Sequence, residues 1–328
     1  MRGINPLMAD QRQTAQREHW SQFWRSGGSS LASEAVRLPV LHKLWADILL
    51  NIPAPADGAP LLELAAGSGS VSRHISKIPN LAASTQFALD ASIEALSELR
   101  CGEVAVAGDL HGLPFAQRSM HLVTSQFGVE YAGLDGIANA LDCVSTGGYF
   151  AFVIHLSDGV IYEECVENSR LIGRFLESSF LPVAQGLIIT STGAQLSTDH
   201  HQKAQIFRQT LPGVEKLLIS ATDGQAKDTL LQVYNAVADM VEAPRHYETA
   251  VVDGWFSKTH AELAGYVERM EQMCRSALSE PDRTAVTQLA EMRGFNITRQ
   301  GIVYDGEDGL QPVPVAWHIV ARRVRGDK

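Results

Sequence analysis

Apolar and polar residues alternate in two different ways along the chain, and the change of pattern divides it into regions. Between Leu61 and Leu156, short apolar runs are separated by amphipathic stretches. The runs predict buried parallel strands, and the stretches between them predict helices that bury one face. This order predicts right-handed βαβ units. The fold class is therefore α/β, with a Rossmann-like, doubly wound and mostly parallel sheet.

The pattern also gives approximate bounds for the elements of this region. The predicted strands are 61–64, 85–90, 103–109, 120–129 and 147–155. The predicted helices between them are 71–77, 91–100 and 134–144. The strands recur at intervals of roughly 20–30 residues, which suits parallel strands joined through helices.

A second pattern begins near Leu156 and continues to about residue 280. Its apolar residues recur at helical spacing, as in the row Leu230, Val233, Tyr234, Val237, Met240 and Val241. No strand pattern interrupts it. We therefore predict a large helical insert after the fifth strand, covering 158–280.

Alternating chemistry returns after the insert. Ser279 and Asp282 form a capping-box pattern at the start of a helix that Gly294 ends. Two closing strands follow, at 296–304 and 313–324. The predicted domains are an N-terminal helical segment, a core interrupted by the insert, and the insert itself, at 1–50, 51–157 plus 281–328, and 158–280.

Composition and charge narrow the expected partners. Of the 328 residues, 45% are hydrophobic and 20% are charged, as in an ordinary globular protein. The formal net charge is −10, and the one dense basic block is RRVRGDK at residues 322–328. Proteins that bind nucleic acid usually carry a basic face, so nucleic acid is not an expected partner.

Membrane and redox features are also informative. No stretch reaches the roughly 18–20 apolar residues of a membrane helix, and the N-terminus lacks the apolar region of a secretion signal, so membrane insertion is not expected. The cysteines form no C-x-x-C pair; they are Cys101, Cys143, Cys165 and Cys274. We expect four reduced thiols in a cytoplasmic protein.

The sequence LLELAAGSGSVSRHIS, residues 61–76, joins the first strand to a helix through a glycine turn. A Rossmann dinucleotide site requires G-x-G-x-x-G, and a P-loop requires a lysine after its last glycine. Here Gly67, Ser68 and Gly69 are followed by Ser-Val-Ser, so the third glycine and the lysine are both missing. These departures weaken the phosphate-binding alternatives without removing them.

Acidic residues end three successive predicted strands. Glu63 lies four residues before Gly67, Asp90 ends the second strand, and Asp109 follows the third. A carboxylate at Glu63 repels a pyrophosphate but suits an ammonium group. A carboxylate at Asp90 can accept hydrogen bonds from both hydroxyls of a ribose, and one at Asp109 can accept from an adenine amino group. The set describes a cationic adenosyl amino acid. In the alternative interpretation Glu63 is a solvated acid and Asp90 only caps a helix.

The segments LLELAAGSGS, ALDAS, AGDLHGLPFAQRSMHLVTSQFGVEY and STGGYFAFVIH follow in this order. In that order the chain resembles the class I S-adenosylmethionine-dependent methyltransferases, and its third segment resembles small-molecule and quinone-type members. The resemblance covers about residues 60–155 and, weakly, 282–324, but not the insert. It implies S-adenosylmethionine as cofactor and S-adenosylhomocysteine as product. Because enzymes of this kind usually place a substrate lid after the fifth strand, the resemblance also implies that the insert at 158–280 serves as a helical cap or substrate lid.

The resemblance also implies roles for individual residues. Gly67 and Gly69 would let the backbone approach the methionine end of the cofactor, and Glu63 would support its amino group. Asp90 would hold the ribose and Asp109 the adenine. The other residues expected beside the cofactor are Ala65, Ser68, Ala91, Leu110 (at the adenine), Gln126 and Phe127.

Methyl transfer from a sulfonium is an in-line displacement, so the main task of the protein is to hold the acceptor in line. A general base is needed only where the acceptor carries a weakly acidic proton. The candidate catalytic residues are His155, which follows the fifth strand, and Glu130 and Tyr131, which follow the fourth. Each also has a structural alternative, as a loop or packing residue.

The fourth strand ends in TSQFGV. It lacks the Asn/Asp-Pro-Pro-aromatic tetrad of methyltransferases that act on adenine bases or glutamine, and it lacks a cysteine for addition to cytosine. We therefore expect a small organic acceptor, methylated at oxygen or carbon. His200 and His201 lack an acidic or cysteine partner at ligand spacing, so no metal is predicted.

Residues 1–50 look helical and aromatic, with Trp20, Phe23 and Trp24 close together. This segment either covers the cofactor or packs the first helix on the core, and Arg25 is a candidate to reach a carboxylate. Other functions stay open: a protein or tRNA methyltransferase, a cofactor-binding module without turnover, or a nucleotide-dependent oxidoreductase. A homodimer through the helical insert is a further expectation.

Overall fold

The structure of the protein is a computed structural model that describes residues 18, 20–25, 39–55, 58–191, 198–306 and 311–324. Much of the predicted N-terminal segment, including Gly27 and Gly28, lies outside the described residues. The chain divides into two compact units. The first consists of the described parts of Met1–Glu163 and Gln272–Lys328, and the second consists of the described parts of Glu164–Glu271.

A seven-stranded sheet forms the centre of the first unit, in the order β3-β2-β1-β4-β5-β7-β6. Its strands are β1 (Leu61–Leu64), β2 (Gln86–Asp90), β3 (Val104–Ala107), β4 (Met120–Gln126), β5 (Val144–His155), β6 (Phe295–Asp305) and β7 (Val313–Arg323). The first five strands are parallel, whereas β7 is antiparallel to both β5 and β6. The order differs from the 3-2-1-4-5-6 order of the dinucleotide-binding fold because β7 lies between β5 and β6. The predicted fold class, doubly wound and mostly parallel, is confirmed.

Helices of the first unit connect these strands. They are α1 (Pro39–Leu50), α2 (Ser72–Ile75), α3 (Pro79–Ala82), α4 (Ile93–Leu96), α5 (Gly133–Cys143) and α11 (Glu280–Met292), with a 3₁₀ turn at Val129–Ala132. Several are shorter than the sequence pattern predicts. α2 and α4 span a single turn each, where the pattern predicts 71–77 and 91–100. The predicted cap of α11 is present, since Asp282 accepts hydrogen bonds from the backbone N–H and the hydroxyl of Ser279.

The core of the sheet lies around its central strands. All four residues of β1 are buried, and so are the first six of β4, whereas β3 at the edge is largely exposed. On one face, Ile137 of α5 and Val286 of α11 belong to the same cluster as Phe152 of β5. On the opposite face, Trp45 of α1 donates a hydrogen bond to Gln126. Helices therefore cover both faces, which leaves the strand ends as the place for polar side chains.

The described residues between β5 and α11 are mostly helical, as predicted. The helices are α6 (Val160–Glu177), α7 (Phe180–Ser191), α8 (Thr198–Ser220), α9 (Gln225–Glu242) and α10 (Thr249–Ser276). Within the second unit they enclose their own apolar cluster, which includes Ile172, Phe175, Phe180, Ile188, Leu230, Val237 and Val252. The predicted domain boundaries and the predicted role of 158–280 as a lid stay predictions.

Candidate functional site

Glu63 lies beneath the glycine turn and holds it to the following helix. Its Oε1 accepts a hydrogen bond from the backbone N–H of Val71 at 2.8 Å. Its Oε2 accepts from the backbone N–H of Ser72 at 2.8 Å and from the Ser72 hydroxyl at 2.5 Å. Glu63 is 3% exposed, and burial raises the pKa of its carboxyl to about 7 against the opposing effect of these donors. The carboxylate thus fixes the path of the chain from β1 through the turn into α2.

The backbone of the turn takes the left-handed conformation repeatedly. Gly67 has φ +54° and Gly69 has φ +80°, which glycine adopts at no steric cost. A Cβ added to Gly67 would lie 2.9 Å from Cζ2 of Trp24, so a side chain at this position has no room. Ala65 also has a positive φ, +47°, without being glycine. A residue held in this way is strained, and such strain concentrates at functional sites.

Asp90 joins the end of β2 to the same turn. Its Oδ2 accepts a hydrogen bond from the backbone N–H of Gly67, and its Oδ1 accepts from that of Ser92, each at 2.8 Å. Burial raises the pKa of the Asp90 carboxyl. Ala91, predicted to lie beside the cofactor, is exposed next to it. The structure therefore brings together Asp90 and the glycine turn, which are 23 residues apart in sequence.

Asp109 lies in the loop after β3. Its Oδ1 accepts a hydrogen bond from the backbone N–H of His111 and forms a second contact of 2.8 Å with Nδ1 of the same residue. Asn139 of α5 donates to the carbonyl oxygens of Leu110 and His111, each at 3.2 Å. The predicted adenine residues are thus held in a loop that α5 anchors.

The ends of β1 and β4 approach each other very closely. A Cβ added to Gly128 would lie 2.3 Å from the Cβ of Ala65. Ser125 connects the two strand ends, since its hydroxyl donates to the carbonyl oxygen of Leu64 at 3.1 Å and accepts from the backbone N–H of Val129 at 3.0 Å. Phe127 has φ +56°, which turns the chain out of β4 earlier than the predicted end at residue 129. Two non-glycine residues in the left-handed region, Ala65 and Phe127, therefore lie on either side of this junction.

Glu130 and His155 form a buried pair next to that junction. Oε1 of Glu130 lies 2.7 Å from Nδ1 of His155 and also accepts the backbone N–H of His155 at 3.2 Å. The two residues are 3% and 4% exposed. A carboxylate is an acceptor, so Nδ1 of the neutral ring carries the proton and Nε2 keeps its lone pair. Nε2 forms no hydrogen bond within the part of the chain that the structure describes.

The second oxygen of Glu130 differs from the first. Oε2 is buried and has no hydrogen-bond partner among the described residues. An unpaired buried acceptor is costly and is expected only where a ligand or water supplies the donor. The pair therefore offers an oriented imidazole and an unpaired carboxylate oxygen at the ends of β4 and β5.

Aromatic rings surround this pair. The ring of Phe127 stacks on that of His155 with centroids 4.2 Å apart, and Tyr131 lies edge-on to His155 at 6.3 Å. Trp20, in the described helical stretch 20–25, lies edge-on to Tyr131 at 5.8 Å. The predicted residues Phe127, Tyr131 and His155 are thus neighbours, and residues 20–25 reach both them and Gly67. Arg25 in this stretch forms ion pairs with Glu94 at 3.0 Å and Glu18 at 2.8 Å.

The chain is 29% identical over 97 residues to a ubiquinone/menaquinone biosynthesis C-methyltransferase, UbiE, of Cereibacter sphaeroides. It is equally similar to the protein of the same name from Roseobacter denitrificans. The matched segments make up 27% of this chain and 39% of each relative, so the chain spans about two fifths of the length of the curated relatives it matches. No model of a known protein family matches the chain. Over this segment the chain is similar to S-adenosylmethionine-dependent methyltransferases of class I.

Solved structures of other methyltransferases show a looser likeness. The plantazolicin methyltransferase BpumL, in complex with S-adenosylhomocysteine, is 10% identical with a TM-score of 0.46, over 98% of this chain and 100% of that chain. A methyltransferase in complex with the Haloferax volcanii Trm112 activator is 21% identical with a TM-score of 0.33, over 43% and 60%. At this level of likeness, neither protein bears on the function of this chain.

The side chains at these strand ends fit an adenosyl amino acid. The turn at Gly67 leaves no room for a Cβ, and the acids beside it are Glu63 and Asp90. An acid at Glu63 would repel the pyrophosphate of a dinucleotide, whereas an acid at Asp90 suits a ribose. Within the described ranges no group of three or more His, Cys, Asp or Glu residues could hold a metal, and no helix there is long and apolar enough to cross a membrane.

Some residues of the site were not predicted from the sequence. Trp45 orients Gln126 with a hydrogen bond of 2.5 Å from its indole N–H. Ser72 supplies two of the three hydrogen-bond donors to Glu63, and Glu94 forms an ion pair with Arg25. Trp24 lies against the turn. The helical spacing of Trp20 and Trp24 in the sequence is consistent with the contact of Trp24 with the turn. It is equally consistent with packing of the first helix on the core.

Proposed function

We propose that the protein transfers a methyl group from S-adenosylmethionine to a small organic acceptor, at oxygen or carbon. The observation that carries this proposal is the buried Glu130–His155 pair, 2.7 Å apart, next to the junction of the glycine turn and β4. The relatives are named as C-methyltransferases of quinone biosynthesis, which supports carbon as one acceptor atom. Phenols and quinols are therefore the first acceptors to test.

The cofactor half of the site is proposed to lie at the ends of β1, β2 and β3. Asp90 would hold the ribose and Asp109 the adenine, while Gly67 and Gly69 admit the methionine end. Both oxygens of Glu63 already accept hydrogen bonds from Val71 and Ser72, which supports an indirect role. We assign Glu63 to shaping the turn, with any effect on the cofactor ammonium exerted through water. The remaining predicted cofactor residues are Ala65, Ser68, Ala91, Leu110, Gln126 and Phe127.

When bound, the cofactor supplies an electrophilic methyl group for in-line displacement. The protein holds the acceptor in line with it and removes the acceptor proton where one is present. Nε2 of His155 is proposed to take this proton. Glu130 keeps Nδ1 protonated and stabilises the imidazolium that forms, because its Oε1 lies 2.7 Å from Nδ1. Tyr131 and the unpaired Oε2 of Glu130 are proposed to contact the acceptor.

Residues 20–25 are proposed to cover the cofactor. The contact of Trp24 with Gly67 and that of Trp20 with Tyr131 support a cover that spans both halves of the site. Residues 158–280 are proposed as a substrate lid, and a homodimer through them stays a proposal. Four cysteines without disulfides support the proposed cytoplasmic location.

A ligand-binding experiment tests the cofactor first. Thermal-shift and calorimetric titrations with S-adenosylmethionine, S-adenosylhomocysteine and NAD(H) should show stabilisation by the two adenosyl sulfur ligands only. A response to NAD(H) alone would contradict the assignment. Methyl transfer from labelled cofactor to a panel of phenols, quinols, proteins and tRNA then identifies the acceptor class. Binding without transfer to any of them would favour a cofactor-binding module.

A further inference from the structure

The charges around the glycine turn leave one end of the proposed cofactor without a counter-ion. The methionine end of S-adenosylmethionine carries an ammonium and a carboxylate. The residues predicted to surround the cofactor include three acids, Glu63, Asp90 and Asp109, and no base. A carboxylate placed among acids is repelled unless a cation lies close to it. The described residues near the turn include two arginines, Arg25 and Arg73.

Arg25 is already neutralised. Its guanidinium contacts Glu94 at 3.0 Å and Glu18 at 2.8 Å, so two carboxylates share one positive charge. A third carboxylate would have to displace one of them. The sequence expectation that Arg25 reaches a ligand carboxylate therefore gains no support from its contacts.

Arg73 is placed differently. Its Nη1 donates a hydrogen bond of 2.6 Å to the carbonyl oxygen of Ser68, the residue between the two glycines, and lies 3.5 Å from the Ser68 hydroxyl. Arg73 is exposed, and over the described ranges it forms no ion pair. Its charge acts on Glu63, whose two oxygens are bonded to Val71 and Ser72 and not to the guanidinium. The positive charge is therefore held at the turn without a carboxylate bonded to it.

The guanidinium also has donors to spare. Arginine carries five N–H donors in a planar fork that matches a carboxylate, and the described contacts of Arg73 use Nη1. We propose that Arg73 binds the carboxylate of the methionine end of the cofactor. This inference rests on the proposed function. It adds a basic residue to a site otherwise predicted to be acidic.

Ligands that differ in a single group test the inference. S-adenosylmethionine and its decarboxylated form share the adenosine, the sulfonium and the amine, whereas 5′-methylthioadenosine lacks the whole amino-acid end. Calorimetry of the full chain should show wild type binding S-adenosylmethionine about tenfold or more tightly than the decarboxylated form, since a hydrogen bond to a charged group contributes about 1.5–3 kcal/mol. In Arg73→Ala this preference should disappear, while the affinity for 5′-methylthioadenosine stays within about twofold.

A second variant and a control separate charge from structure. Arg73→Gln keeps an N–H donor on a shorter side chain but has no charge, so it should lose the preference while its thermal unfolding matches wild type. Arg100→Ala removes an exposed arginine that pairs with Glu98, and it should keep the preference.

Two outcomes would overturn the inference. One is an equal loss of affinity for all three ligands in both Arg73 variants, which would indicate a purely structural role. The other is a preference for the carboxylate that survives without Arg73. If wild type binds none of the three ligands, the proposed function itself is wrong, and if it binds S-adenosylmethionine and the decarboxylated form equally, only the role of Arg73 is wrong.

Discussion

Two buried glutamates stand near strand ends of the same sheet, Glu63 on β1 and Glu130 just after β4, and both are 3% exposed. Their hydrogen bonds differ. Both oxygens of Glu63 are bonded, to two backbone N–H groups and one hydroxyl. One oxygen of Glu130 is bonded to His155, and the other has no partner among the described residues.

The difference distinguishes a carboxylate that holds the backbone from one that can still accept a hydrogen bond. Glu63 accepts three hydrogen bonds from buried donors, so it stabilises the backbone around it. Asp90 accepts two backbone hydrogen bonds and is only half-buried, which leaves lone pairs for a ligand. A buried carboxylate with an unpaired oxygen, joined to a histidine, is suited to accept from a substrate donor. Burial alone would have grouped Glu63 with Glu130, whereas their partners separate the proposed cofactor half of the site from the proposed acceptor half.

The largest expected effect concerns Asp90 in the cofactor half. Asp90→Ala should abolish binding of S-adenosylhomocysteine without unfolding the protein, because it removes the proposed acceptor for the ribose hydroxyls. Calorimetric titration measures the affinity, and thermal unfolding checks the fold. Asp109→Ala serves as a comparison and should weaken binding less, since its acid lies in an exposed loop. Retained affinity in Asp90→Ala would remove the ribose from Asp90.

Substitutions in the proposed acceptor half should change the rate of methyl transfer and leave the affinity for the cofactor unchanged. His155→Ala should lower methyl transfer to a protonated acceptor by about 10²–10⁴-fold, the usual contribution of a general base. S-adenosylhomocysteine affinity should be unchanged. Glu130→Gln should have a smaller effect and shift the pH profile of transfer, because the amide still accepts from Nδ1 but no longer stabilises the imidazolium. Unchanged turnover in His155→Ala would exclude it as the base.

The sequence predicted local features of this arrangement well. The capping box at Ser279 and Asp282 involves neighbours in the chain, and it is present in the structure. The strands of the parallel region were likewise predicted from a local feature, the apolar runs. The pairing of Glu130 with His155 could not be read from the pattern, because it joins residues 25 apart through the turn at Phe127. A positive φ at a phenylalanine has no pattern of its own.

The same limit explains Glu63. The sequence predicted an acid at the end of β1, and the structure has Glu63 there. The hydrogen-bond partners of its two oxygens, however, depend on how tightly the glycine turn folds back. That is set by the positive φ at Ala65, Gly67 and Gly69 together. The position of β7 between β5 and β6 is likewise decided by packing across the sheet and not by residues next to it in the chain.

Two isosteric variants, Glu63→Gln and Glu130→Gln, compare the glutamates by their effect on the free energy of unfolding. Glu63→Gln should destabilise the protein by about 2–4 kcal/mol, because an amide NH₂ would face a backbone N–H and leave buried donors unpaired. Glu130→Gln should cost about 1 kcal/mol or less, since its carbonyl oxygen can keep the bonds to His155 and the NH₂ replaces an oxygen without a partner. Urea unfolding of the two variants measures the difference. Equal losses would mean that their hydrogen bonds do not distinguish the two glutamates.

The last effect is a pH dependence that belongs to Glu63. Burial raises the pKa of Glu63 from 4.5 to about 7, so the folded state binds this proton more tightly than the unfolded state does. Its contribution to stability is therefore fully present below about pH 4.5 and is lost as the pH rises through about 7, a change of about 3 kcal/mol. Histidines and other acids titrate in the same range, so the quantity to measure is the difference in unfolding free energy between wild type and Glu63→Gln across this window. As the pH rises, wild type should lose unfolding free energy relative to Glu63→Gln. A difference that is independent of pH, or that changes in favour of wild type, would show that the three donors, and not burial, set the pKa of Glu63.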